Sequence, residues 1–140
     1  METIIVTRHA GAMEWLRKNH IDIFDPIYPI SEEEEIEIVE PIVLAHAKPD
    51  DVRGKRVIGI LPNRLSSLAA EYWELNIDIP ADMRGKEISC QEMERLGASL
   101  KRWDILSLSD GQRASLRRLV EYLEHDPDMA EELAALQAVV

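Results

Sequence analysis

Short apolar runs rich in β-branched residues alternate with helix-like segments, and this alternation limits the possible folds more than any other feature of the sequence. Periodicity predicts strands at residues 3–7, 56–61, 75–79 and 103–108, and an element of undecided type at 36–44. Helical spacing predicts helices between these strands, the first of them ending near Asn19. Because strand–helix–strand units join parallel strands, the sequence predicts an α/β fold with a mostly parallel sheet and helices on its faces.

Two capping boxes mark the starts of later helices. SCQE (89–92) and SDGQ (109–112) each place a serine three residues before a side chain that can bond back to the helix start. Asp126-Pro127 ends the second of these helices and begins another, because proline suits the first helical position. No strand pattern follows residue 108, so we expect one domain over 1–108 and a C-terminal helical hairpin over 109–140.

The acidic charge of the chain is concentrated in two segments. The net charge is −11, of which residues 31–40 carry −6 and residues 110–140 carry −4 (seven acids, three bases), so −1 remains for the rest. We interpret the run of glutamates as a solvated loop, because it lacks the spaced ligands of a calcium loop. The nearly neutral remainder permits a local anion site, whereas a chain this acidic is not expected to bind duplex nucleic acid.

Several functional classes are excluded by what the sequence lacks. It has no apolar run near the roughly 18 residues of a membrane span and no signal-peptide pattern. Cys90 is the single cysteine, so we expect a cytoplasmic protein without disulfides or membrane contact. Neither a P-loop nor a G-x-G-x-x-G motif occurs. We therefore expect neither a standard nucleotide triphosphatase nor a standard dinucleotide enzyme, and we assign the chain no cofactor and no metal.

Polar residues follow the ends of two predicted strands. VTRHAGA (6–12) places Thr7, Arg8 and His9 after the first strand, and IGILPNRL (58–65) follows the second. If these strands are parallel neighbours, the two segments meet at one edge of the sheet, where open α/β sheets bind ligands.

The residue types at this edge suit a phosphate. Arg8 and Arg64, which follows Asn63, can pair with phosphate oxygens, and His9 can transfer a proton near neutral pH. The backbone N–H groups of Gly11 and Ala12 open a helix and favour an anion. The alternative is that His9 only caps the helix and that Arg64 is a surface residue.

Other reactive or aromatic side chains receive a structural interpretation. Cys90 lies at a helix start and is not expected to act as a nucleophile. The remaining histidines, which lack ligand-like spacing, are read as surface residues, and the tryptophans as core: His20, His46, His125, Trp15, Trp73 and Trp103.

Three motifs, in the same order, resemble the Csx-sixteen family of type III CRISPR accessory proteins. They are VTRHAGAMEWL (6–16), VIGILP (57–62) and NIDIPADMRGKEISCQEMERLGASL (76–100). The family has a VTRHxGAxxW-type opening, a VIGTLP-type second strand and an LDLPxxxRGxE-type segment. The resemblance covers residues 3–108 and implies a Rossmann-like (CARF-like) fold.

The resemblance also implies a ring nuclease. Such proteins bind cyclic tetra-adenylate, cleave it and so end type III CRISPR antiviral signalling. Cleavage is metal-independent: a ribose 2′-hydroxyl attacks the adjacent phosphate and leaves linear di-adenylate with a 2′,3′-cyclic phosphate. The protein's part is to hold the attack geometry and stabilise charge. A symmetric ring also suits a site shared by a homodimer.

Carried onto this chain, the motifs define the expected site. His9 is the expected proton-transfer group and Arg8 the phosphate clamp. The other expected contacts with the ligand are Thr7, Gly11, Ala12, Pro62, Asn63, Arg64, Arg84, Lys86 and, beside them in the third motif, Gly85 and Glu87. Two alternatives remain: a module that sequesters the cyclic messenger without cutting it, and an accessory protein that works through the acidic loop and the C-terminal helices.

Overall fold

The computed structural model describes residues 1–24 and 40–138, which form two compact units, residues 1–105 and the part that follows residue 105. Residues 36–39 of the element predicted at 36–44 and most of the acidic segment 31–40 lie outside the described residues, and the described part of that element contains a strand at Ile42–Leu44. Within the described residues no helix is long and apolar enough to cross a membrane.

Among the residues described, the first unit contains a five-stranded sheet. Its strands are β1 (Thr3–Val6), β2 (Ile42–Leu44), β3 (Arg56–Gly59), β4 (Glu71–Asn76) and β5 (Ser99–Trp103). The order is β2-β1-β3-β4-β5, with parallel pairing from β2 to β4 and an antiparallel β4–β5 pair. This architecture confirms the predicted α/β class with a mostly parallel sheet and is consistent with a Rossmann-like fold.

Helices cover both faces of this sheet, as the sequence predicted. They are α1 (Ala10–Asn19), α2 (Pro49–Val52), α3 (Asn63–Ser66) and α4 (Cys90–Arg95), with short 3-10 turns at Ile21–Ile23 and Ala81–Met83. Successive residues of a strand point to opposite faces. Accordingly, buried Ile5 packs with Trp15 of α1 and Met93 of α4, whereas buried Ile4 packs with Val52 of α2 and Leu65 of α3.

The predicted boundaries around β4 are wrong. The helix expected after residue 62 ends after about one turn at Ser66, whose hydroxyl donates to the Pro62 carbonyl at 3.4 Å, a local bond that competes with helix continuation. The chain then pairs with β3 from Glu71, four residues earlier than the predicted strand. Tyr72 and Trp73 are aromatic residues with high strand propensity, and pairing with β3 outweighs the helical pattern there.

The last strand is also displaced from its predicted position. β5 ends at Trp103, where the predicted strand began. It is an edge strand with exposed polar residues, so it lacks the apolar run that periodicity detects. Trp103 was assigned to the core but is 42% exposed, with the Lys101 ammonium 4.1 Å from its ring centre.

The described part of the second unit, up to residue 138, contains the helices α5 (Asp110–Leu123) and α6 (Ala130–Gln137), separated by a 3-10 turn at Pro127–Met129. The predicted capping box is present: the Ser109 hydroxyl accepts from the Gln112 N–H at 3.1 Å, and the Gln112 side chain accepts from the Ser109 N–H at 2.9 Å. The unit begins three residues before the domain boundary that we predicted.

Candidate functional site

A cavity in the first unit lies where β1, β2 and β3 end. Its volume is about 590 Å³, within the broad range of small-ligand sites. β2 lies on one side of β1 and β3 on the other, so the crossover connections diverge at β1. A ligand site is expected at such a switch point, outside the carboxyl ends of the strands. The segment after β4, residues 77–88, supplies much of the remaining wall, together with single residues of β4 and α4.

The lining combines cationic side chains with an apolar wall. Arg8, Arg64 and Lys86 line the cavity together with His9 and His46, and none of the described lining residues is an aspartate or glutamate. The apolar wall consists of Leu75, Ile77, Ile79, Met83, Ile88 and Met93. In a chain with a net charge of −11, this composition suits a ligand that has both anionic and flat apolar parts.

Arg8 is held by a histidine from the neighbouring strand end. An Arg8 terminal nitrogen lies 3.0 Å from His46 Nδ1. A guanidinium can only donate, so this contact requires an unprotonated Nδ1 and places the proton of the neutral ring on Nε2. The sequence interpretation of His46 as a surface residue was therefore incomplete: the side chain is exposed, but it lines the cavity and contacts the predicted phosphate clamp.

His9 precedes the first turn of α1 and makes two polar contacts. Its N–H donates to the Thr7 hydroxyl at 3.1 Å, and its ring Nδ1 lies 3.4 Å from a carboxylate oxygen of Glu87. A carboxylate only accepts, so a hydrogen bond here places a proton on Nδ1 and leaves Nε2 of the neutral ring as an acceptor. The His9 side chain is 53% exposed and lines the cavity.

Gly11 allows the start of α1 to approach the segment before α4. A Cβ at this position would overlap the carbonyl oxygen of Ile88, which belongs to the backbone and cannot rotate away. Ala12 is buried and lines the cavity, but its N–H donates to the His9 carbonyl at 3.2 Å. The structure thus gives Gly11 a packing function, whereas its predicted contact with an anion stays a prediction.

Tyr72, which sequence reasoning missed, fixes the end of β3. Its buried hydroxyl donates to the Gly59 carbonyl at 3.2 Å and accepts from the Leu61 N–H at 3.1 Å. Burial raises the pKa of the Tyr72 phenol, so the hydroxyl remains a donor at neutral pH. These bonds end β3 two residues before the predicted end of the strand and set the start of the loop that leads to Arg64.

Most of the predicted site residues lie together. Those that line the cavity are Thr7, Arg8, His9, Ala12, Pro62, Arg64, Gly85 and Lys86. Gly11, Asn63, Arg84 and Glu87 are not among the lining residues, although Glu87 contacts His9. The missed residues are His46 and much of the apolar wall. His46 follows β2, the element whose type periodicity left undecided.

Comparison with known proteins identifies a family. Residues 4–106, nearly the whole first unit, match the family described as "Putative CRISPR-associated protein (Cas_VVA1548)". A search of curated proteins and a search of solved structures give no match. The family match covers four of the strands completely, β1 from Ile4 onward, and every described residue that lines the cavity. The chain therefore belongs to the Cas_VVA1548 family of CRISPR-associated proteins.

Proposed function

We propose that this protein is a ring nuclease that binds cyclic tetra-adenylate and cleaves it to linear di-adenylate with a 2′,3′-cyclic phosphate. The observation that carries the proposal is the cavity at the end of β1, where three cations and two histidines gather without a carboxylate among the described lining residues. Membership of a CRISPR-associated family and the resemblance to the Csx-sixteen motifs support our choice of the cyclic messenger of type III systems as the anion.

The proposed reaction needs two proton transfers and a charge clamp. The ribose 2′-oxygen bonds to the adjacent phosphorus, the bond from phosphorus to the 5′-oxygen breaks, and that oxygen takes up a proton. His9 Nε2 can accept the 2′-hydroxyl proton or, from the imidazolium, deliver one to the 5′-oxygen. Arg8, Arg64 and Lys86 can stabilise the charge on the phosphate oxygens.

The apolar wall supplies the other half of the proposed recognition. Adenine presents a flat face that packs against aliphatic and thioether side chains, and Leu75, Ile77 and Met83 line the cavity on that side. A cyclic tetranucleotide has two equivalent halves, so we propose that two copies of the chain each bind one half in a homodimer.

The direct test is incubation of the purified protein with cyclic tetra-adenylate in EDTA, with products resolved by chromatography. We expect di-adenylate with a cyclic phosphate, and losses of about 100-fold or more in rate for Arg8→Ala and His9→Ala. Arg95→Ala, an exposed arginine on α4 outside the cavity, is the matched control and should cleave normally. Full activity of both site variants would show that the assignment of these residues is wrong.

Sequestration without cleavage is the second candidate. It is favoured by the contacts in this structure, since His46 Nδ1 is occupied by Arg8 and the His9–Glu87 contact is long at 3.4 Å. An intact ring that co-elutes with the protein would support sequestration and contradict cleavage. An intact ring that does not bind would contradict both candidates.

A further inference from the structure

The contact between Arg8 and His46 joins the two strand ends that flank the switch point of the sheet. β1 and β2 are parallel, and Val6 is the register partner of Leu44. Arg8 and His46 each follow these partners by two residues. The Thr7 N–H donates to the Leu44 carbonyl at 2.9 Å, so backbone pairing continues to the base of both loops. The two side chains therefore start from a platform that the sheet fixes.

The protonation state of His46 determines whether this contact exists. A neutral His46 accepts a hydrogen bond from Arg8 through Nδ1, whereas an imidazolium has no acceptor and carries the same charge as the guanidinium. The other charged or titratable groups that line the cavity are His9 before α1, Arg64 on α3 and Lys86 before α4, and Lys48 follows His46 by two residues. None of these is a carboxylate that could compensate a second positive charge beside Arg8.

We infer that His46 is a positioning residue for the phosphate clamp: its neutral ring holds the Arg8 guanidinium at the cavity through the 3.0 Å contact. The inference rests on the proposed function, because it assigns His46 to the binding of the same cyclic phosphodiester. Arg8 has several rotatable bonds and is exposed, so a fixed acceptor reduces the side-chain entropy lost when a phosphate binds. Protonation of His46 releases this constraint.

The key experiment measures the affinity of wild-type protein and of three His46 variants for a 2′-fluoro analogue of cyclic tetra-adenylate. The analogue lacks the attacking hydroxyl and so cannot be cleaved. We expect His46→Ala to weaken binding about tenfold, the size typical of a lost hydrogen bond to a charged group. His46→Asn should stay within about twofold of wild type, because the amide oxygen replaces Nδ1 as an acceptor. His46→Lys should bind less tightly than His46→Ala, since it repels Arg8. His125→Asn, on the exposed surface of the second unit, is the control.

A further measurement separates positioning from a general structural effect. In an Arg8→Ala background, His46→Ala should cause no additional loss, because the two residues act as one unit.

The outcomes distinguish this inference from the proposed function. Wild-type protein that binds neither the ring nor its analogue would overturn the proposed function and the role of His46 in it. Tight wild-type binding with equal affinity of His46→Ala, or with His46→Asn as weak as His46→Ala, would overturn the inference alone. A histidine-ring ¹⁵N spectrum of the ligand-free protein at pH 8 tests the contact directly. An unprotonated Nδ1 supports the inference, and a protonated Nδ1 contradicts it.

Discussion

The two sides of the cavity are built differently. On the side formed by β1 and α1, Arg8 contacts His46, His9 contacts Glu87, and Gly11 lies against the backbone of Ile88. On the side formed by α3 and residues 83–88, the side chains of Arg64, Arg84 and Lys86 make no hydrogen bond or ion pair with another described residue. The first side is held in place before a ligand arrives, whereas the second can adapt to it. Preorganised groups contribute more to transition-state stabilisation than groups that must become ordered.

We call the side formed by β1 and α1 the organised side and the other the adaptable side. The largest expected effect comes from a substitution of Gly11 that prevents the close contact between α1 and the backbone of Ile88 on the organised side. Gly11→Ala places a methyl group against the Ile88 carbonyl, and relief requires α1 to move away from the segment that precedes α4. Overpacking of this kind should lower the free energy of unfolding by about 3 kcal/mol, measured by urea denaturation. Gly111→Ala is the matched control, because it is also the second residue of a helix but has open space around it. Equal stability of the two variants would refute the close approach.

The next comparison sets the two arginines against each other. Arg8→Ala should reduce kcat/KM for cyclic tetra-adenylate by about 100-fold, and Arg64→Ala by about tenfold, because only the Arg8 guanidinium is positioned before binding. Initial rates over a range of substrate concentrations give both values. Arg64→Ala should act mainly through KM, as expected for a group that becomes ordered on binding. A larger loss of kcat/KM for Arg64→Ala than for Arg8→Ala would contradict the prediction that the arginine positioned before binding contributes more.

The organised side was also the more predictable from sequence. VTRHAGA lies on one contiguous strand-turn-helix segment, so local periodicity was sufficient to place Arg8 and His9 at the end of β1. Lys86 and Arg64 were identified by the family resemblance and by their position after a strand, and both line the cavity.

The residues that were missed depend on long-range pairing. His46 is 38 positions from Arg8 along the chain, and only the parallel β1–β2 pairing brings them together. β2 has three residues, too few to establish a period. Tyr72 looked like part of a helix because the pairing of β4 with β3 is not encoded in local spacing. In both cases tertiary contact outweighs local propensity.

A smaller effect is expected from the residue that shapes the adaptable side. Tyr72→Phe leaves the Gly59 carbonyl and the Leu61 N–H without their partner. The loss of these buried hydrogen bonds should lower the free energy of unfolding of the protein by about 1–2 kcal/mol. Binding should weaken less than in Arg8→Ala, since the loop after β3 already adapts to the ligand. Tyr122→Phe, with 74% exposure in the second unit, is the control and should leave stability unchanged. If the two tyrosine variants are equally stable, Tyr72 does not hold the end of β3 as the structure indicates.

The smallest effect should come from the ion pair on the outer surface of the same two helices that Gly11 brings together. Lys18 on α1 lies 2.7 Å from Glu94 on α4. The hydrogen bond to Glu94 raises the pKa of Lys18, and the hydrogen bond to Lys18 lowers the pKa of Glu94. The stability from Glu94 is therefore present above its ordinary pKa of 4.5 and is lost as the pH falls through the lowered value.

The stability from Lys18 is complete below its ordinary pKa of 10.5 and is lost as the pH rises through the raised value. Glu94→Gln should thus lower Tm at pH 7 by at most about 2 °C, because exposed pairs are screened by water and salt. The difference from wild type should become smaller as the pH falls below 4.5, which thermal melts at pH 7 and at a series of acidic pH values would show. A decrease at pH 7 as large as that in Gly11→Ala would mean that charge, rather than close packing, holds α1 against α4 on the organised side of the cavity.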